Sequence, residues 1–213
     1  MFADWSLTYA VVPYRRRRGF LCTHPKTGGT SIEKTLKSAG AAEALKLKKQ
    51  AGYSKATLQH MHAEIYTEAI GKNFADYSFT VIRNPYDRFA SEFKMKVVSA
   101  GLEDSVDDWA VTNFKRFKKF EYTRDNHIRP QVQFMSKRLE VFRFEDGLEA
   151  PLEAACKHLE LEVPMVRHEK RGTKTLIEVK EQTLEVIHKF YRRDFSRFDY
   201  ESDDFGGSFS VAE

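Results

Sequence analysis

Gly19-Phe20-Leu21-Cys22-Thr23-His24-Pro25-Lys26-Thr27-Gly28-Gly29-Thr30-Ser31-Ile32-Glu33 is the stretch from which the fold can be read. Its apolar opening, Gly19 to Thr23, reads as a short buried strand. His24-Pro25 ends that strand, because the residue before a proline is biased toward extended geometry. Lys26 to Gly29 then form a turn. Ile32, Leu36 and Ala39 follow at i, i+4 and i+7, the spacing of one helix face. Thr30-Ser31-Ile32-Glu33 has the form of a capping box and predicts the helix start, and Gly40 predicts its end.

The same logic recurs downstream. Ser78-Phe79-Thr80-Val81-Ile82 reads as a second strand with Arg83 at its end. Asn84 is a good N-cap and Pro85 a good first helical residue. Tyr86, Phe89, Ala90, Phe93 and Val97 then share a buried helix face. Leu139 to Phe144 is a third strand candidate, followed by a helix through Leu152, Ala155, Cys156 and Leu159. Between units two and three, Val106, Trp109, Ala110, Phe114 and Phe117 mark a further helix, and Leu184, Ile187 and Tyr191 mark a last one. Short apolar runs alternating with amphipathic helices predict an α/β fold: a P-loop-like, mostly parallel central sheet flanked by helices, in a single domain. The expected organisation is an N-terminal extension over 1–18, the domain proper over 19–200, and a flexible acidic, Gly/Ser-rich tail over 201–213.

Bulk properties fit this reading. The 213 residues suit one domain, and 17 phenylalanines exclude a disordered chain. A net charge of +4, from 35 Lys+Arg against 31 Asp+Glu, is too small to imply nucleic acid by itself. Cys22 and Cys156 lie in apolar runs and form no CxxC, so they read as buried free thiols. No apolar stretch approaches the ~18 residues of a membrane span, and the charges Arg15 to Arg18 follow the weak apolar run at Tyr9 to Val12 instead of preceding it, unlike a signal peptide. The expected location is cytoplasmic.

A strand, a glycine turn and a helix N-terminus together form an anion cradle. Glycines let backbone N–H groups approach closely, and the helix end adds free donors and partial positive charge. Here Lys26 adds a full charge, and Thr27, Thr30 and Ser31 add hydroxyls. The ATP-type pattern GxxxxGK[ST] is absent, since the lysine precedes Gly28 and Gly29 and no Lys-Ser/Thr pair opens the helix to hold magnesium. The loop therefore suits a phosphate bound without an obligatory metal. Arg83 suggests a second anion site, with Ser91 off the apolar stripe. Asp87 and Arg88 read equally as surface ion-pair partners.

His24 to Ser31 resembles the loop that binds the 5′-phosphosulfate of 3′-phosphoadenosine 5′-phosphosulfate (PAPS). Arg83-Asn84-Pro85-Tyr86-Asp87-Arg88-Phe89-Ala90-Ser91 resembles the motif for its 3′-phosphate, with Arg83 and Ser91 at the contacting positions. In order and separation the two are similar to Golgi-type carbohydrate sulfotransferases and their bacterial relatives. His60 matches a histidine of that family, and His127 to Gln131 is similar to a segment near the acceptor cleft. Val141 to Asp146 resembles the third core strand. Tyr191 to Tyr200 resembles the C-terminal signature, except that Asp199 stands where glycine is common. The similarity spans roughly residues 19 to 200. Unlike the Golgi enzymes, the protein is expected to have no membrane anchor or stem.

The resemblance implies sulfuryl transfer from PAPS to a hydroxyl acceptor, expected to be a carbohydrate, with no metal, nucleic acid or membrane span involved. Lys26, Thr27, Gly28, Gly29, Thr30, Ser31, Arg83 and Ser91 are the expected cosubstrate contacts. Lys26 meets charge on the leaving phosphate, and His60 is the expected base, with His62 its rival. Lys170 to Lys174 reads equally as a loop that closes over the nucleotide and as a solvated basic loop. Arg15 to Arg18 and Lys115, Arg116, Lys118 and Lys119 read first as solvated basic faces. Two other classes stay open: an ATP-dependent kinase, which needs magnesium, and a nucleotide- or nucleic-acid-binding protein, which shows steep salt dependence.

Overall fold

The computed structural model describes residues 17–42, 56–71, 73–97, 101, 104–164 and 176–212. In chain order these form β1 (Gly19–Cys22), α1 (Gly29–Ser38), α2 (Ala63–Ile70), β2 (Tyr77–Ile82), α3 (Pro85–Lys96), α4 (Val106–Lys119), β3 (Glu140–Arg143), α5 (Glu149–Leu159), β4 (Ile177–Val179), α6 (Glu181–Phe198) and β5 (Phe209–Val211). Short 3-10 turns lie at Leu58–His60, Gln131–Phe134 and Phe144–Asp146. Two compact units result: Met1–Ile82 with Phe134–Glu169, and Arg83–Gln133 with Lys170–Glu213. The α/β class with a parallel sheet agrees with the sequence reading.

The first unit is built on a three-stranded parallel sheet with β2 in the middle, β1 on one side and β3 on the other. Cys22 pairs with Thr80, and Ile82 with Arg143. β1 is buried along its whole length, which is why its sequence is uniformly apolar and does not alternate with polar residues. Successive side chains still part to opposite faces. Phe20 and Cys22 join Met61, Tyr66 and Phe134 on one side. Leu21, Phe79 and Val81 pack with Ile32 and Leu36 of α1 and with Leu152, Ala155, Cys156 and Leu159 of α5 on the other. Both cysteines are free and buried, and burial pushes both thiols up.

The start of α1 departs from expectation. Gly28, at φ 84° and ψ 7°, is the N-cap, no side chain caps the helix, and the helix begins at Gly29. The Gly28 carbonyl accepts the Ser31 and Ile32 N–H groups at 3.0 and 3.1 Å. A left-handed glycine turns the chain straight into the helix, so Thr30 is already inside it and cannot cap it. Gly40, at φ 97°, ends the helix as expected, with the Ala41 N–H donating to the Leu36 carbonyl at 3.0 Å.

The second unit packs α3, α4 and α6 around aromatic side chains. Phe89 meets Trp109 edge-on at 5.1 Å, Tyr86 meets Phe195 at 5.0 Å, and Phe114 stacks on Phe190 at 3.9 Å. Asn84 caps α3, accepting the Tyr86 N–H at 2.9 Å, with Pro85 in the first turn as expected. α6 ends on Asp199 at φ 56°, a left-handed position where glycine carries no penalty. The tail does not fray as expected: β5 pairs in parallel with β4, and Phe209 is buried in the aromatic core. Among the described residues no helix is long and apolar enough to cross a membrane.

Truncating Phe209 to Ala is expected to lower stability by about 3–5 kcal/mol, the range for a buried aromatic. Ser210→Ala should change it by less than about 0.5 kcal/mol. Urea unfolding of both variants checks the docked tail, and equal small effects would return it to a frayed end.

Candidate active site

In the first unit, the loop after β1 is anchored before it turns. The Thr80 hydroxyl donates to the Cys22 carbonyl at 2.7 Å, and His24 Nε2 lies 3.4 Å from the same hydroxyl. His24 is fully buried, its ring 4.8 Å from that of Phe134. The Thr27 hydroxyl donates to the His24 carbonyl at 2.9 Å. This corrects the expectation that Thr27 offers its hydroxyl to an anion: its proton closes the loop, leaving the backbone N–H as its available donor. Ser31 is half-buried and Thr30 exposed.

Two backbone positions shape the turn. Lys26 has φ 72° and Gly28 φ 84°. A Cβ on Gly28 would meet Leu148 and Phe144 at 3.1 Å, and one on Gly29 would lie 2.5 Å from the Thr23 methyl. Gly29 is thus required by space and Gly28 by conformation. The N–H groups of Gly29 and Thr30 precede the first intrahelical bond. No acidic residue of α1 itself occupies its first turn, so no carboxylate from the helix's own opening residues offsets the positive end of its dipole. Lys26, half-buried beside it, adds the full charge.

Also in this unit, His60 ends a 3-10 turn and is buried, and His62 is the N-cap residue of α2 and also buried. Neither is a surface histidine. His60 Nδ1 lies 3.2 Å from the Thr57 hydroxyl, and Nε2 lies 3.4 Å from the Gln59 amide nitrogen. With the Gln59 carboxamide in this orientation its nitrogen donates to Nε2 and the ring proton sits on Nδ1. A base acting through Nε2 must first exchange that amide for its substrate's hydroxyl. His62 Nε2 is 3.7 Å from the exposed Glu64 carboxylate.

In the second unit, Arg83 is held at its backbone by one side chain. The Arg83 N–H donates to Gln131 Oε1 at 2.9 Å, and Gln131 Nε2 donates to the Arg83 carbonyl at 2.8 Å. The Arg83 guanidinium lies 4.0 Å from Asp87, which also accepts from the Ser208 hydroxyl. Ser91 is half-buried one turn beyond Asp87. Arg88 is not the surface partner expected. It is buried, donating to the carbonyls of His127 and Arg129 at 3.1 and 2.5 Å, 5.5 Å from the Tyr191 ring centre.

Sequence reading missed three contributors here. Gln131 and Asp194 form the support of Arg83. Lys94 follows Ser91 by one helical turn, and its pKa is lowered by burial, pulled back by Asp87 and lowered further by Arg83. The i, i+4, i+7 spacing of Asp87, Ser91 and Lys94 is the signal that points to Lys94. Nothing local in the sequence links Gln131 or Asp194 to Arg83. Arg124, Asp125 and Asn126 also hold three successive left-handed conformations, at φ 56°, 54° and 63°. His127 next to them bonds the buried Glu92 at 2.7 Å.

The remaining basic residues divide. Lys115, Arg116, Lys118 and Lys119 are exposed on α4, while Phe114 is buried and Phe117 half-buried, the solvated face expected. Arg17 pairs with Glu160 at 3.0 Å and Arg18 with Asp76 at 3.8 Å. Arg15, Arg16 and Lys170 to Lys174 lie outside the described residues.

A parallel sheet feeding a glycine turn and a helix N-terminus defines an α/β protein. The model of the sulfotransferase family matches residues 17–201, so the chain belongs to that family, whose enzymes transfer sulfate to an acceptor. A solved sulfotransferase from Alicyclobacillus acidocaldarius is similar at 14% identity, covering 86% of this chain and 94% of that one, with a TM-score of 0.49. No curated protein matches the chain.

Lys26→Gly and Lys26→Ala separate backbone from charge. Both should lose most turnover. Lys26→Gly should be about 1 kcal/mol more stable than Lys26→Ala, because only glycine escapes the left-handed penalty. Gly29→Ala should destabilise the loop through its clash with Thr23. Thermal unfolding beside a transfer assay checks all three, and full turnover in either lysine variant would exclude the charge from the reaction.

Proposed function

We propose that this enzyme transfers the sulfuryl group of PAPS to a hydroxyl, with a saccharide as acceptor. The observation that carries the reading is the turn after β1: a left-handed Lys26, a left-handed Gly28, a Gly29 with no room for a side chain, and a first helical turn with no acidic residue of its own. The likeness of this turn and of the Arg83–Ser91 segment to the nucleotide motifs of carbohydrate sulfotransferases supports the donor and acceptor class. Two free, buried thiols fit a reducing compartment and support a cytoplasmic location.

On this reading the acceptor oxygen attacks sulfur, and a new O–S bond forms as the bond from sulfur to the 5′-phosphate oxygen breaks. The acceptor proton passes to His60 Nε2, where the acceptor hydroxyl takes the place of the Gln59 amide. Products are the sulfate ester and 3′-phosphoadenosine 5′-phosphate, which takes the electron pair of the broken bond. Charge grows on that leaving phosphate. Lys26, the N–H groups of Gly28 to Thr30 and the Ser31 hydroxyl meet it, and a positioned donor of this kind is worth about 3–4 kcal/mol in the barrier. Arg83 and Ser91 bind the 3′-phosphate, for which the planar guanidinium is suited by its paired donors. Positioning and electrostatics carry the rate, as in phosphoryl transfer. His62, with Glu64 at its Nε2, is the second choice of base.

Calorimetric titration with 3′-phosphoadenosine 5′-phosphate and with ATP, each with and without magnesium, tests the donor. Metal-independent binding of the former, with ATP much weaker, is expected. A preference for ATP with magnesium would point to a kinase. For the base, His60→Ala should cut single-turnover transfer by about 100-fold or more while leaving nucleotide affinity unchanged. Near-normal transfer in that variant, with loss in His62→Ala, would move the role to His62.

A further inference from the structure

Arg83 is the first residue after β2, and a residue at a strand end is normally free to pivot about its own backbone. Here the carboxamide of Gln131 takes the place of a neighbouring strand. It accepts from the Arg83 N–H and donates to the Arg83 carbonyl, at 2.9 and 2.8 Å, and so satisfies both main-chain groups at once. Gln131 is itself fully buried. Its backbone N–H donates to Asp194 Oδ2 at 2.8 Å, and the next residue, Val132, donates to Asp194 Oδ1 at 2.9 Å. Asp194 is fully buried on α6.

We propose that Asp194 and Gln131 are positioning residues for Arg83: through two pairs of hydrogen bonds, they fix the peptide from which the guanidinium reaches the nucleotide's 3′-phosphate. The inference rests on the assignment of that phosphate to Arg83. Its physical basis is that both links are two-point. A single hydrogen bond leaves rotation about its axis, whereas paired bonds from a planar group fix orientation as well as distance. Asp194 is suited to its place because each carboxylate oxygen takes one N–H, which an amide cannot do. Burial makes the links stiff as well, since breaking one strands a polar group away from water.

A structural role alone would lower stability and weaken every nucleotide alike. A positioning role lowers the preference for the 3′-phosphorylated nucleotide in particular. The readout is therefore the ratio of the AMP dissociation constant to that of 3′-phosphoadenosine 5′-phosphate, measured by calorimetry on the whole chain below its unfolding transition. Gln131→Met removes both bonds to Arg83 at similar length and is expected to lower the ratio about ten-fold, with AMP binding changed less than about two-fold. Gln131→Glu keeps the acceptor for the Arg83 N–H, should fall between the two, and carries the comparison if Gln131→Met does not fold. Asp194→Asn should lower the ratio in the same direction, because one of its two N–H groups loses its acceptor. Arg83→Ala is the control. If Arg83→Ala collapses the ratio and the Gln131 variants leave it at the wild-type value, the positioning role is overturned. If Arg83→Ala itself leaves the ratio unchanged, the assignment of the 3′-phosphate fails, and the inference fails with it.

Discussion

The hydrogen bond from the Thr80 hydroxyl to the Cys22 carbonyl decides where β1 lets go of its sheet. Thr80 is paired with Cys22 in the parallel register and is buried between the apolar Phe79 and Val81. Its hydroxyl takes the last carbonyl of β1. The Cys22 thiol and the Tyr66 hydroxyl both donate to the Phe134 carbonyl, at 3.4 and 2.8 Å, and tie the same strand end from the other side. His24 packs beside Phe134, and the chain then turns through the left-handed Lys26 and Gly28. The geometry of the loop is thus set in part by partners far away in sequence. Its own residues supply the Thr27 closure, the conformational freedom and the charge.

The second unit solves the corresponding problem with polar groups buried outright. Arg88, Glu92, Gln131, Arg129 and Asp194 are each at most 2% exposed. Burial pushes the Asp194 carboxyl up to about 6, against the pull of Arg88 and of its backbone donors. A carboxyl whose folded value lies above its unfolded one contributes most to folding below the unfolded value, near 3.8, and loses that contribution as pH rises through about 6. At neutral pH the charged form is therefore a net burden on stability. An apolar side chain of similar volume would often serve stability better. What such a residue would lose is the orientation of the Gln131 and Val132 peptides, so the network is better accounted for by position than by stability.

Much of this architecture could be read from the sequence, for physical reasons that differ by element. The helices were legible because their apolar spacing is local: Phe89, Ala90 and Phe93 are buried where the period predicts them. The Asn84-Pro85 helix start was legible because capping chemistry is local too. The start of α1 was misread because a left-handed Gly28 made the capping box redundant, and Gly-Gly alone does not reveal its φ. β5 was hidden because a three-residue strand in a Gly/Ser-rich tail carries no periodicity, and its partner β4 lies some thirty residues earlier. Within the candidate site, the lysine, glycines and Arg83 stood out by residue type. Gln131 and Asp194 did not, since only the folded chain brings them to Arg83.

The conformation of Lys26 bears on why the turn carries a lysine at all. At φ 72° a residue with a Cβ sacrifices about 1–2 kcal/mol relative to glycine. The turn already uses glycine at positions 28 and 29, and the backbone at 26 would accept another. Lys26 is half-buried. A charge that meets the leaving phosphate is worth about 3–4 kcal/mol in the barrier, more than the strain it must offset. On the proposed reading the two magnitudes settle the choice: a folding preference for glycine is outweighed by an electrostatic requirement for an ammonium group.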